Sequence, residues 1–145
     1  MNKPAIMLVE DNADDELLTL RAFRRTAIPH DLTVVRDGAE ALDYIFAQGQ
    51  YSDRADAVLP TVLLLDLNLP KVHGLEVLRR IRADERTKLL PVVILTSSKE
   101  EHDVVGGYQG GCNSYVRKPV DYDEFADAAR QLGLYWLVRN IPSPL

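Results

Sequence analysis

Four short apolar runs in this chain each stop at a residue able to do chemistry. Ile6-Met7-Leu8-Val9 gives way to Glu10-Asp11, and Val62-Leu63-Leu64-Leu65 to Asp66. Val92-Val93-Ile94-Leu95 is followed by Thr96-Ser97, and Ser114-Tyr115-Val116 by Arg117-Lys118-Pro119. A carboxylate is costly to bury unless something pairs it. Asp66, closing the run in LLLDLNLPKVHG (63–74), therefore either reacts or binds there, or merely caps the next helix. If the four ends meet at one edge, three carboxylates, a hydroxyl and an ammonium converge. Carboxylates about 4 Å apart repel by roughly 4 kcal/mol at an effective dielectric near 20. A hard divalent cation relieves that repulsion, and an all-oxygen set suits Mg²⁺. A nucleophilic carboxylate, Mg²⁺, an ammonium and a hydroxyl are the parts that phosphoryl transfer onto an aspartate uses.

The elements that must position these groups follow from the same runs. Continuous rather than alternating apolarity suits strands covered on both faces, as in a parallel sheet. Leu32-Thr33-Val34-Val35 is a shorter strand of this kind. Between the strands, Ala13, Leu17, Leu20, Phe23 and Ala27 recur at helical spacing behind an N-cap at Asn12 or Asp11. Ala39, Leu42, Ile45 and Phe46 make a second stripe, and Leu75, Leu78 and Ile81 a third. A fourth helix around residues 101–109 contains Gly106 and Gly107, and is the least self-sufficient. The last runs from Asp121 through Phe125, Ala128, Ala129 and Leu132 toward Trp136. Five strands alternating with five helices predict an α/β fold with a doubly wound five-stranded parallel sheet. Ligands in such sheets bind beyond the carboxyl ends of the strands, where the four runs stop. Residues 47–60 are long and polar for a helix-to-strand connection and predict an exposed loop, with part of an interface as the alternative.

Length and composition narrow the function classes. At 145 residues the chain is one domain with room for a proper core. No apolar run approaches the roughly 20 residues of a membrane helix, and the start does not read as a secretory signal. With a single cysteine, Cys112, no internal disulfide can form, which favours a reducing, cytoplasmic setting. Cys112 itself reads as a small packed residue, and His30, His73 and His102 are too scattered for a metal site. Asp14 and Asp37 read as cap or surface acids. The net charge is −5 and the densest basic patch, RAFRR (21–25), reads as a solvated face, so nucleic-acid binding is not expected.

The residues at the strand ends carry a family resemblance. The sequence resembles the receiver domain of two-component response regulators, the CheY-like (flavodoxin-like) proteins, over about residues 4–130. The match rests on LVEDN (8–12), LLLDLNLP (63–70), Gly74, VILTSS (93–98) and SYVRKP (114–119). The resemblance implies the strand order 2-1-3-4-5 and a phosphoacceptor at Asp66. It implies Mg²⁺ bound by Asp11 directly, by Glu10 through water, by Asp66, and by the main-chain carbonyl of Asn68. It gives Thr96 and Lys118 to the phosphoryl group, and makes Tyr115 a switch aromatic that turns inward as Thr96 moves. Without the resemblance, Tyr115 would simply fill space in the sheet. The resemblance also implies a cis Lys118–Pro119 bond. Ser97 departs from the alanine or glycine that the family often has there.

The implied function is a single-domain response regulator over residues 1–145. It takes a phosphoryl group from a sensor histidine kinase onto Asp66 and signals through protein contacts. It is a signalling phosphoacceptor rather than an enzyme, with only Mg²⁺-dependent self-phosphorylation and autodephosphorylation. An aspartate-based phosphohydrolase of the haloacid dehalogenase type would place a second carboxylate two residues after the nucleophile, where Asn68 stands. A pseudo-receiver would have lost an acid or the lysine. The ending at residues 131–145, with LGLYWLVRNIPSPL, is too apolar for a solvated terminus and either packs back or meets a partner. With the long connection before the third strand, DLNLPK and RKPVD, it resembles the phytochrome-associated subgroup, whose members often form homodimers. A bacterial phytochrome is then the implied kinase.

Overall fold

The computed structural model describes residues 3–54 and 58–144. Its strands are β1 (Ala5–Val9), β2 (Asp31–Val35), β3 (Val62–Leu65), β4 (Val92–Thr96) and β5 (Ser114–Arg117). They alternate with helices α1 (Ala13–Arg24), α2 (Gly38–Phe46), α3 (Gly74–Ala83), α4 (Glu101–Gln109) and α5 (Tyr122–Leu134). All neighbouring strands pair in parallel, in the order β2-β1-β3-β4-β5. The continuous apolar runs have the reason anticipated for them. Successive strand residues face opposite sides, so Met7, Val9, Leu63, Leu65, Val92 and Ile94 pack with α2 and α3. Ile6, Leu8, Val62, Leu64 and Val93 pack on the other side with Ala22 and Phe23 of α1 and Ala129 of α5.

Side-chain caps set where most helices begin. Asn12 Oδ1 accepts from the Asp15 amide, Asp37 Oδ1 from Glu40 and Asp121 Oδ1 from Glu124, at 2.7–3.0 Å. Each such cap contributes about 1 kcal/mol. Helix α4 has no side-chain cap bond. Its glycines have a packing role: a Cβ on Gly107 would lie 2.7 Å from Ile94 Cδ1 and 3.2 Å from the Tyr115 ring. The helix gives up propensity to approach the sheet closely.

Two features differ from the sequence-based expectations, and a third, the chain end, agrees with one of the two alternatives read for it. The connection over residues 47–60 is not a plain exposed loop, because 3-10 turns over Gly49–Arg54 fold back on α2. Tyr51 donates to Glu40 Oε1 at 3.2 Å and meets the Tyr44 ring edge-on, while the Arg54 guanidinium stacks 3.5 Å from the Tyr44 ring centroid. Residues 55–57 of this connection lie outside the described residues. The Lys118–Pro119 bond is trans, not cis; trans is the intrinsically favoured form by about 0.5–1 kcal/mol, and Lys118 reaches its partners with it. The chain end does two things: α5 continues into a π-helical turn, Tyr135–Arg139, from which Trp136 and Leu137 pack against the α1/α5 core. Tyr135 and Val138 stay half exposed and Ile141 is 90% exposed. No helix among the described residues is long and apolar enough to cross a membrane.

Candidate functional site

Backbone pairing carried one residue past the strands holds the reactive groups at one edge. The Glu10 amide donates to the Val35 carbonyl at 3.0 Å and the Asp66 amide to the Val9 carbonyl at 3.1 Å. The Lys118 amide donates to the Thr96 carbonyl at 2.7 Å. Glu10, Asp66, Thr96 and Lys118 are therefore in line with the sheet, and all four are buried. Helix α3 closes the turn beneath Asp66, with the Gly74 amide donating to the Leu67 carbonyl at 2.9 Å. A Cβ at Gly74 would lie 2.4 Å from the Asp66 carbonyl oxygen, so only glycine lets the helix start so close to the site.

Asp66 is held from both sides. Its Oδ1 accepts from Thr96 Oγ1 at 2.7 Å and from the Asn68 amide at 3.2 Å. Its Oδ2 accepts from Lys118 Nζ at 2.9 Å. Lys118 Nζ also donates to Glu10 Oε1 at 2.5 Å and Asp15 Oδ2 at 2.8 Å. Burial pushes the Asp66 carboxyl up, but the Lys118 ammonium, helped by Thr96, outweighs it and holds the group below the usual carboxylate range. Burial likewise works against the Lys118 charge, yet its bonds to Asp15, Glu10 and Asp66 keep the ammonium more firmly protonated than an ordinary lysine. Glu10 fares differently: burial, with the nearby Asp66 charge, exceeds what Lys118 returns and pushes its carboxyl up to about 7. At neutral pH the cluster thus keeps an ionised Asp66 and a charged Lys118, with Glu10 poised between forms.

Glu10, Asp11 and Asp66 each offer a carboxylate oxygen within 4.8 Å of the others. Three hard oxygen donors carrying excess negative charge fit a divalent cation of the Mg²⁺ class. Asn68 sits exposed two residues beyond Asp66, and Asp11 is the exposed member of the three carboxylates. Tyr115 lies half buried on β5, two strands from β3, its hydroxyl donating to the Ser98 carbonyl at 2.9 Å. Ser98 Oγ in turn donates to Asp103 Oδ2 of α4 at 2.6 Å, linking Tyr115 to the turn that follows Thr96. Ser97 is exposed. Cys112 is buried, and burial pushes its thiol up, as for a packed rather than a reactive cysteine.

All seven residues singled out from sequence therefore lie at or beside the carboxyl edge of the sheet. One contact at the site had no sequence signal: Asp15, three residues after the α1 cap, on Lys118. Gly38 likewise gives no signal in the sequence. A Cβ there would lie 2.0 Å from the Val72 carbonyl oxygen, so it lets α2 abut the loop leading from Asp66 to α3.

Residues 6–130 match the response regulator receiver domain family. Among characterised relatives, the chain is 39% identical to the probable methanogenesis regulatory protein FilR2 of Methanothrix harundinacea, over 93% of this chain and 84% of that protein. It is 36% identical to response regulator Rcp1 of Synechocystis, over 91% and 88%. Among solved structures, the Mn²⁺-bound form of Rcp1 superposes with a TM-score of 0.89 at 34% identity, over 97% of this chain and 99% of that one. The phosphorylated cyanobacterial phytochrome response regulator RcpA superposes at 0.91 and 35% identity, over 99% and 100%. The bacteriophytochrome response regulator RtBRR does so at 0.78 and 48% identity, over 99% and 86%.

Proposed function

Because this chain belongs to the response regulator receiver domain family of two-component systems, we propose that it takes a phosphoryl group from a sensor histidine kinase onto Asp66. The observation that carries this reading is the state of Asp66 itself. A carboxylate 6% exposed at the end of the central strand stays ionised because Thr96 and Lys118 bind its two oxygens separately. In the transfer, an Asp66 oxygen attacks phosphorus, the O–P bond forms and the P–N bond to the donor histidine breaks, its electron pair leaving with the imidazole. Thr96 Oγ1 and Lys118 Nζ each donate to an oxygen of the attacking carboxylate, which places them beside the incoming phosphoryl oxygens they would hold. Glu10, Asp11, Asp66 and the Asn68 carbonyl would hold Mg²⁺, which supplies charge neutralisation for the phosphoryl oxygens. The Tyr115–Ser98–Asp103 chain is the route by which Thr96 would report the change to α4. The chain is a signalling phosphoacceptor and not an enzyme; Asn68 takes the place of the second carboxylate that a phosphohydrolase of this chemistry needs. Labelling by a small acyl phosphate tests the reading: the label should require Mg²⁺ and map to the peptide containing Asp66. Label that persists with chelator present, or that maps elsewhere, would refute it.

The poise of Glu10 makes a second expectation. Mg²⁺ needs the carboxylate form, and protons compete for it at about pH 7. Mg²⁺ affinity measured by titration calorimetry should fall about tenfold between pH 8 and pH 6, from one competing proton. A flat affinity across that range would remove Glu10 from the metal site.

The names of RcpA and RtBRR support a phytochrome-type kinase as the phosphoryl donor. The exposed Tyr135, Val138 and Ile141 support self-association through the C-terminal turn. A sedimentation mass of one chain at tens of micromolar, with and without acyl phosphate, would exclude the homodimer.

A further inference from the structure

Lys118 has three ammonium protons and each has its own carboxylate, on Glu10, Asp15 and Asp66. Two of those acids also belong to the oxygen cluster that fits a cation. The third does not: Glu10, Asp11 and Asp66 converge within 4.8 Å, and Asp15 stands outside that group. Asp15 is also fixed by its own backbone. Its amide is capped by Asn12 Oδ1 at 3.0 Å, and its carbonyl accepts from Thr19 Oγ1 at 2.8 Å, with Thr19 itself buried. Placement in the first turn of α1 further favours its negative charge.

We propose that Asp15 is a positioning residue for Lys118, holding the ammonium at the sheet edge when Glu10 and Asp66 turn to other partners. The inference rests on Asp66 being the phosphoacceptor. Glu10 would divide its carboxylate between the lysine and any cation held with Asp11 and Asp66. Phosphorylation then converts Asp66 from a carboxylate to an acyl phosphate. A lysine ammonium rides on a flexible four-carbon stem and regains rotamer freedom when its partners leave. Asp15 is the partner that stays unchanged through both events, while the lysine shifts from the Asp66 carboxylate toward the phosphoryl oxygens. It also shares the ammonium's hydrogen bonds, so that Lys118 competes less strongly with a cation for Glu10.

The test compares wild type with Asp15→Asn and Asp14→Asn. Asp14 carries the same charge one residue earlier, is exposed, and does not partner Lys118. Three readouts are taken: the Lys118 ammonium resonance in metal-free protein with ¹⁵N-labelled lysine, the Mg²⁺ affinity by calorimetry, and the rate of acyl-phosphate labelling at saturating Mg²⁺. Asp15→Asn should broaden the Lys118 signal beyond detection, weaken Mg²⁺ binding several-fold and slow labelling by about tenfold. Asp14→Asn should leave affinity and rate within about twofold, as an exposed charge does. A sharp Lys118 resonance in Asp15→Asn, with affinity and rate matching Asp14→Asn, would overturn the proposal. Should wild type take no label, the phosphoacceptor reading fails by itself, and the resonance and the Mg²⁺ affinity still decide whether Asp15 holds the lysine.

Discussion

Asp66→Asn should give a folded protein that acyl phosphate labels at least roughly a hundredfold more slowly than wild type, because an amide oxygen is not a competent nucleophile here. The substitution is nearly isosteric. Thr96 Oγ1 and the Asn68 amide keep an oxygen to donate to in place of Asp66 Oδ1, and Lys118 keeps Glu10 and Asp15. What disappears is one charge and the attacking group. The charge has its own readout, because the Asp66 carboxylate is one of the causes that raise Glu10 to about 7. In the variant the Glu10 carboxyl should therefore titrate lower, measured by carbon NMR on labelled glutamate. Label incorporated at the wild-type rate, or a Glu10 titration that does not move, would contradict the site as drawn.

Lys118→Met should be the most damaging single change to both stability and labelling. It leaves Glu10, Asp15 and Asp66 without the cation that each contacts at 2.5–2.9 Å. Removing one partner of a buried ion pair costs about 3–5 kcal/mol, and losing one preorganised donor to the phosphoryl oxygens slows transfer by about 10²–10³. The stability loss has a defined pH dependence. Glu10 is an acid whose folded value, about 7, lies above its ordinary 4.5. The folded protein therefore binds the extra proton, and this contribution to stability is present at low pH and lost as pH rises through about 7. Lys118 lowers the Glu10 value, so its removal pushes Glu10 higher still and extends the loss further up the pH scale. Urea unfolding should accordingly show a larger deficit against wild type at pH 8 than at pH 6. An equal deficit at both would mean that Glu10 does not feel Lys118.

Much of the site was legible because its residues sit at pattern breaks. An apolar run that stops at Glu10, at Asp66 or at Thr96 is visible without coordinates, and so is a lysine just before a proline. The caps at Asn12 and Asp37 follow the same local logic. Asp15 was not legible, because an acid in the first turn of a helix is already explained by capping and the helix dipole. Gly38 was hidden for a related reason, since a glycine at a helix start looks like turn chemistry, whereas its use is to admit the Val72 carbonyl. The cis bond expected at Lys118–Pro119 came from resemblance alone, and no local residue pattern had required it.

The sequence by itself determined which residues are able to react, which runs become strands buried on both faces, and the alternation that winds helices onto a parallel sheet. Those are properties of neighbours along the chain: periodicity, capping and residue chemistry act over a few positions. Tertiary structure decided that one ammonium is divided among three carboxylates, that Glu10 is pushed up while Asp66 is held down, and that Trp136 packs inward while Ile141 does not. These depend on burial and on distances of 2.5–2.9 Å between residues as far apart as Glu10 and Lys118. Electrostatic energies vary with separation and local dielectric, and neither quantity exists until the strands are aligned.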